Sequence, residues 1–302
     1  MKVLLAIDYS PASQKVLEEV AVRCWPAGTT FMVVSAVDIG RFSELPVLVE
    51  DARRECEKIV RAGAALLVQA RLSATTEVLT GSPRHVVSEF AAQWGADLIL
   101  VGSHNRGTVS RFFLGSVAQG ILRTATCSVE IVRFPRSESA PSSHPMKILI
   151  ATDGSACSLA AANSLVRRPW PTGTAFKVLS VEELVKMPIP LEASPLSSIY
   201  PASLLEELIT AARTRAVDGV AAVQKVLTEA VPAASVDSLV PTGDPCGVIL
   251  DTAEAWSADL VVLGSHGLRG FDRLLMGSVS ESVAVHAHCS VEVVRSNEIP
   301  KA

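Results

Sequence analysis

Aromatic residues make up only 5% of the 302 positions, and the chain has just two tyrosines. No apolar run approaches the roughly 20 residues that span a bilayer. The first apolar stretch, residues 3–7, is closed by Asp8 and is too short for the apolar region of a secretion signal. A cytoplasmic location without membrane association is therefore expected. Basic residues show no excess: Lys+Arg 27 against Asp+Glu 31 leaves a net charge of −4. Nucleic acid and anionic membranes both reward a basic face, so neither is expected as a partner. The six cysteines include no C-x-x-C pair, which excludes a dense disulfide framework and leaves free thiols in a reducing compartment.

Several nucleotide and catalytic signatures are also missing. No G-x-x-x-x-G-K-[S/T] follows a strand, so the chain is not a P-loop NTPase. No G-x-G-x-x-G follows the first strand, which removes the dinucleotide fingerprint. A nucleophile elbow G-x-S-x-G is absent. The third strand of each half ends in Thr80-Gly81 or Thr242-Gly243 rather than the acceptor Asp of a phospho-receiver.

What is present is a repeat, the first thing to look for in a chain of this length. Val3-Leu4-Leu5-Ala6-Ile7-Asp8-Tyr9-Ser10 returns as Ile148-Leu149-Ile150-Ala151-Thr152-Asp153-Gly154-Ser155, 145 positions on. Ala96-Asp97-Leu98-Ile99-Leu100-Val101-Gly102-Ser103-His104 returns as Ala258-Asp259-Leu260-Val261-Val262-Leu263-Gly264-Ser265-His266, 162 positions on. The growth from 145 to 162 gives the second copy 17 extra residues, placed around the proline-rich stretch 185–201. A surface insertion is the simpler account of that stretch, and a lid or partner-binding loop the sharper one. The boundaries follow: residues 1–134, a Ser/Pro-rich linker at 135–145, and residues 146–297.

Within copy one, strands are expected at 3–7, 30–37, 77–79, 98–101 and 129–132, with a long helix at 49–68. Ser10-Pro11 and Ser82-Pro83 read as helix starts, a capping hydroxyl followed by a proline whose missing N–H costs nothing there. Asp244-Pro245 is the matching start in copy two. Val86, Val87, Phe90, Ala91 and Trp94 fall on one helical face. Apolar strands alternating with helices mean an α/β fold: two tandem doubly wound domains, each a parallel sheet covered on both faces.

In such sheets ligands sit beyond the carboxyl ends of the strands, where strand order reverses. Asp8 and Asp153 follow the first strand of each copy. Gly102-Ser103-His104-Asn105 and Gly264-Ser265-His266-Gly267 follow the fourth. In copy two, Gly264-x-x-Gly267 precedes Gly277-Ser278 by nine residues. The glycines let backbone N–H groups approach a ligand, and the helix opened by Gly277-Ser278 offers free N–H groups and a dipole that favour an anion. Hydroxyls of Ser278 and Ser280 are candidate further donors. In the competing account the glycines serve only tight turns.

At these residues the chain resembles the universal stress protein family, whose ATP-binding signature is G-x2-G-x9-G-[S/T]. The resemblance covers nearly all of both copies, down to the closing Cys127-Ser128-Val129-Glu130 and Cys289-Ser290-Val291-Glu292. It implies five parallel strands per domain in the order 3-2-1-4-5. It further implies ATP, with Mg²⁺, as the ligand. Asp153 and Val181 would flank adenine, beside Ala151, Thr152 and Leu263. Gly264, His266, Gly267, Gly277, Ser278, Val279 and Ser280 would line ribose and phosphates. The copy-one counterparts are Asp8, Ala36, Gly102, His104, Asn105, Gly115, Ser116, Val117 and Ala118. Asn105 in place of glycine and Ala118 in place of a hydroxyl weaken that copy. The final strands, 129–132 and 291–294, are expected to meet as an intramolecular pseudo-dimer that covers two sheet edges. A homodimer and a signalling partner remain open.

His286-Ala287-His288-Cys289 has the residue types of a metal site, but copy one reads Thr124-Ala125-Thr126-Cys127, and no metal is expected. His104 and His266 lack an evident nucleophile partner, so no catalytic residue is assigned. Arg111 and Arg273 match across the copies, as loop arginines or phosphate contacts. The expected function is nucleotide-regulated binding in stress response or signalling, with slow ATP hydrolysis at most. A nucleotide-independent scaffold is the alternative, followed by an enzyme using Asp153 or His266 as base.

Overall fold

The computed structural model describes residues 1–38, 40, 46–103, 114–133, 145–183, 202–267 and 276–295. The linker 135–145 except its last residue, and the whole proline-rich stretch 185–201, lie outside the described residues.

Short aliphatic runs form the central strands, which are buried on both faces, while the edge strands are partly exposed. In the first half the strands are β1 (Lys2–Ala6), β2 (Thr30–Val37), β3 (Ser73–Thr80), β4 (Leu98–Gly102) and β5 (Ser128–Val132). Helices α1 (Pro11–Val22), α2 (Pro46–Gln69), α3 (Pro83–Trp94) and α4 (Ser116–Thr124) connect them. The second half repeats the plan with β6 (Lys147–Ala151), α5 (Ala156–Val166), β7 (Ala175–Leu179), β8 (Glu182–Glu183) and α6 (Ala202–Ala230). It continues through β9 (Ser235–Leu239), β10 (Thr242–Gly243), α7 (Pro245–Trp256), β11 (Leu260–Gly264), α8 (Ser278–His286) and β12 (Ser290–Val294). Val3, Leu4, Leu5, Leu98, Ile99 and Leu100 are wholly buried, as strands sandwiched between two helical layers must be.

Ten strands form one sheet in the order β3-β2-β1-β4-β5-β12-β11-β6-β7-β9. Each half therefore reads 3-2-1-4-5, and every pairing within a half is parallel. The halves join through β5 and β12, which pair antiparallel, with Val291 opposite Ile131, Glu292 opposite Glu130 and Val293 opposite Val129. One apolar cluster, containing Ile121, Leu122, Ile131, Val283, Ala284 and Val291, runs across this junction. Separate clusters on the other face serve the first domain under α1 and α2 and the second under α5 and α6.

Local chemistry accounts for the element ends. Ser10 Oγ accepts from Ser13 N at 3.2 Å at the start of α1, and Asp244 Oδ2 accepts from Gly247 N at 3.2 Å at the start of α7. Ser82 differs from expectation. His85 N donates to the Ser82 carbonyl at 2.9 Å, and the Ser82 hydroxyl makes no capping bond. The ladder between β7 and β9 breaks after Leu179 and Leu239 and resumes as the β8–β10 pair. Pro241 sits at the break, where it has no N–H to contribute. The corresponding ladder in the first domain runs unbroken from Thr30↔Ser73 to Val37↔Thr80.

At the centre of the sheet two carboxylates face each other. Glu130 and Glu292 are directly opposite across the antiparallel junction and almost entirely buried. Like charges in that arrangement repel, and each is met by an arginine of its own domain. Arg23, at the end of α1, donates through Nη1 and Nη2 to the two Glu130 oxygens at 2.7 and 2.6 Å. Arg168, just past α5, donates to Glu292 Oε2 at 2.6 Å. Burial raises the Glu292 pKa above the usual 4.5, the Arg168 charge pulls it back, and the facing Glu130 raises it further.

Flanking this cluster, two more arginines reach across the junction. Arg133 Nη2 donates to the carbonyls of Ala284 and Val285 at 2.7 and 2.9 Å, at the C-terminal end of α8. Arg295 Nη2 donates to the Leu122 carbonyl at 2.8 Å, at the same end of α4. Each helix thus has its negative end neutralised by the other domain.

Glu130→Ala removes the two-point partner of buried Arg23, which keeps only Glu19 at 3.1 Å, and is expected to cost about 3 kcal/mol of stability, measured by denaturant unfolding. The pH response has a defined sign. The folded state holds the Glu292 proton to higher pH than the unfolded chain does, so this group's contribution declines as pH rises above 4.5. Denaturant titrations across that range should show the decline in the native sequence and its loss in Glu292→Gln.

Candidate functional site

The reversal of strand order in the second domain falls between β6 and β11. Ala151 and Leu263 are paired neighbours there and form the floor of a cleft. Asp153 leaves β6 two residues beyond Ala151. Its Oδ1 accepts from Ser155 N at 3.0 Å, which fixes the turn into α5. From β11 the chain passes through Gly264, Ser265, His266 and Gly267. The start of α8 returns to the same place, because Gly277 N donates to the Ser265 carbonyl at 2.8 Å.

The three motif glycines have different reasons to be glycine. A Cβ on Gly264 would lie 2.8 and 2.9 Å from the backbone carbon and oxygen of Cys157. That glycine is required for α5 to pack on β11, and Gly102 against Ala12 repeats the constraint in the first domain. A Cβ on Gly267 would meet only the Asp153 carboxylate, at 2.6 Å from Oδ2. This contact brings the two halves of the motif together. At Gly277 a Cβ would approach the Ser265 carbonyl at 3.2 Å, a milder restriction.

Gly277 is the N-cap of α8, and no side chain caps that helix. Its first-turn N–H groups therefore point at the cleft with the positive end of the dipole behind them. Ser278, the first helical residue, is exposed and carries an available hydroxyl. Ser280 corrects the expectation of a ligand-donating hydroxyl. It is buried, and its Oγ donates to the Gly264 carbonyl at 2.7 Å, tying the first turn of α8 to the end of β11. A hydroxyl has one proton to give, and here the fold uses it.

His266 is held by a 2.9 Å contact between Nδ1 and Ser265 Oγ. Its Nε2 is a buried atom without a hydrogen-bond partner among the described residues. Burial lowers its pKa, and the Arg295 charge lowers it further, so the ring is neutral at physiological pH. An orphaned polar atom, an uncapped helix start and a glycine cradle beside a carboxylate form a donor set that fits a phosphate-bearing ligand with a polar head. Val181 and Val279 pack, partly buried, against the central apolar cluster.

The first domain is built on the same plan but equipped differently. Gly115 N donates to the Ser103 carbonyl at 2.7 Å, so the helix start again returns to the strand end. Ser116 and Val117 open α4, and Ala118 is buried where Ser280 makes its tie. Ala36 lies within β2, paired with Leu79. Asp8 Oδ1 is engaged at once by Ser10 N at 2.9 Å, by Ser10 Oγ, and by Ser13 Oγ at 2.7 Å. His104, Asn105 and Arg111 lie outside the described residues, as does Arg273.

A cavity of about 490 Å³ opens elsewhere, between α5 and α6. Thr152, Ser158, Leu159, Arg215 and Gly219 help to line it, but neither Asp153 nor any residue of the 264–280 loop does. His286 Nδ1 lies 2.8 Å from the Ser282 carbonyl, and Cys289 is buried. Among the described residues no three His, Cys, Asp or Glu side chains converge on a metal-sized space, and no helix is long and apolar enough to cross a membrane.

The fold defines a tandem pair of doubly wound α/β domains, joined edge to edge, each with its strand order reversing between its first and fourth strands. The chain belongs to the universal stress protein family: the family model matches residues 1–133 and again 145–295. It is 28% identical over 306 residues to a universal stress protein of Mycobacterium tuberculosis, covering 93% of this chain and 94% of that one. It is 29% identical over 277 residues to one of Mycolicibacterium smegmatis, covering 91% of this chain and 83% of the relative. Among solved structures, a universal stress protein from Archaeoglobus fulgidus superposes with a TM-score of 0.65 at 20% identity. It covers 99% of this chain and 97% of its own. That likeness extends the tandem fold to a distant sequence.

The two glycines separate experimentally. Gly264→Ala overpacks a backbone contact and should lower stability by roughly 1–3 kcal/mol. Gly267→Ala meets only a movable carboxylate, so its melting temperature should stay near that of the native chain while ligand affinity falls. Thermal unfolding and calorimetric titration of the two variants check this contrast.

Proposed function

We propose that this tandem universal stress protein binds ATP, carried with Mg²⁺, at one competent site in its second domain, and that its role is nucleotide-regulated binding rather than turnover. The observation that carries the reading is the meeting of the uncapped α8 start with the Asp153–Gly267 contact at the switch point. Backbone N–H groups of α8 and the Ser278 hydroxyl would hold phosphates without a lysine. His266 Nε2 would supply the unmet hydrogen bond to ribose or phosphate. Mg²⁺ would be bound chiefly through the phosphates themselves, as is common for this ion.

The first domain is the weaker site in this reading. Asp8 is already held by two serines, and Ala118 lacks the tie that Ser280 gives to the strand end. Losing one hydrogen bond to a charged group costs about 1.5–3 kcal/mol, at least tenfold in affinity. His266 is oriented by the contact of its Nδ1 with Ser265 Oγ, which aims Nε2 for a hydrogen bond to the ligand.

Denaturing purified protein and quantifying the released nucleotide tests the proposal. About one ATP per chain, lost in Gly277→Val, is the expected result. About two per chain would make the first domain competent as well. No nucleotide, with no uptake of added ATP, would leave a nucleotide-independent scaffold as the function.

A further inference from the structure

The cavity of about 490 Å³ between α5 and α6 corresponds by position to the groove between α1 and α2 in the first domain. The two long helices align 160 positions apart, with Val60 and Leu67 buried as Val220 and Leu227 are. In the first domain side chains bridge the groove. Tyr9, on the turn before α1, donates through its hydroxyl to Glu55 Oε2 on α2 at 2.5 Å. Lys58, one turn further along α2, donates to the other Glu55 oxygen at 2.6 Å. Ile59 packs against the apolar cluster beneath.

The second domain changes all four positions. Tyr9 becomes Gly154, Ile59 becomes Gly219, Glu55 becomes Arg215 and Lys58 becomes Asp218. With both large side chains gone, α6 meets the turn backbone to backbone, and a Cβ on Gly219 would lie 2.9 Å from Gly154 Cα. All four replacements line the cavity. The charged pair has also reversed its order along the helix and is not spent internally. Neither the Arg215 nor the Asp218 side chain makes an ion pair or hydrogen bond with another described residue. The two stand three positions apart, on neighbouring turns of one helix face. Leu159, Ala222 and Val223 supply apolar wall beside them.

A cation and an anion one helical turn apart, next to an apolar recess, complement a zwitterion with an apolar side chain. The first domain places an aromatic ring at this groove from its own chain. We infer that the cavity binds a free α-amino acid with an aromatic side chain, its carboxylate on Arg215, its ammonium on Asp218 and its ring in the space that Tyr9 spans in the first domain. The volume lies within the range of small-molecule sites. A dianion would set a negative charge against Asp218 and a diamine a positive one against Arg215, so the pair selects against both. Neither Asp153 nor the 264–280 loop lines the cavity, and the inference does not depend on the nucleotide reading.

The test titrates the full chain with L-phenylalanine and L-tyrosine in calorimetry, with and without saturating ATP. Saturable binding of one molecule per chain, not displaced by ATP, is the expected result. Arg215→Gln and Asp218→Asn should each weaken it about tenfold, the effect of losing one charge-assisted hydrogen bond. Both residues are exposed, so melting temperatures near the native value should confirm that the variants fold. Singly charged probes read the pairing itself. Phenylpropionate, which lacks the ammonium, should bind more weakly than phenylalanine and lose nothing further in Asp218→Asn. Phenethylamine, which lacks the carboxylate, should likewise be indifferent to Arg215→Gln. Ala222→Trp, which fills the recess from an exposed position, should abolish uptake. No saturable binding of either amino acid, or affinity unchanged in both charge variants, overturns the inference. Displacement by ATP also overturns it, since it would move the amino acid to the cleft.

Discussion

The pairing of Glu130 with Glu292 at the centre of the sheet sets the terms for the rest of the molecule. Two buried carboxylates opposite each other would separate the halves, and the junction survives because Arg23 and Arg168 reach them from the ends of α1 and α5. Those helix ends must therefore lie over the last strands of their domains. Once β5 and β12 are paired, two sheet edges disappear and the apolar faces of α4 and α8 close over one shared core. Ion pairs at such depth serve less as a source of stability than as a register lock, because a slip of the strands would strand a charge in hydrocarbon.

The same junction reaches the cleft. α8 has its open end at the candidate site and its closed end in the grip of Arg133, a residue of the other domain. A cation at the C-terminal end complements the dipole whose positive end faces the cleft. The helix is short, nine residues, so the two ends are mechanically one body. The first domain, poorer as a ligand site, thereby remains part of the second one's framework.

Much of this was legible in the sequence for a physical reason. Continuous aliphatic runs and repetition are strong signals, so β2 was read at its observed bounds, and the pairing of the final strands followed from the family resemblance. The glycines stood out in the sequence, but sequence alone could not separate Gly264, which admits a neighbouring helix, from Gly267, which admits a carboxylate. Side-chain wiring was not legible. Ser280 reads as an available hydroxyl until its partner is seen to be Gly264 O. Ser82 reads as a cap, yet its hydroxyl makes no capping bond. The break at Pro241 was hidden because a proline near a strand end can also mean that the strand has stopped.

One contact at the junction has no mirror image. Arg123 Nε donates to Glu281 at 2.6 Å from α4 to α8, and Gln119 Nε2 adds a longer bond at 3.3 Å. The symmetry-related positions hold Gln119 in place of Glu281 and Val285 in place of Arg123, so the reverse pair does not form. In an assembly of identical subunits every substitution arrives twice, and a one-sided bond of this kind cannot be selected without its twin. Joining the two halves in a single polypeptide removes that restriction. Each half becomes free to specialise while its neighbour is inherited alongside it, and the association of unlike partners no longer depends on their finding one another in solution.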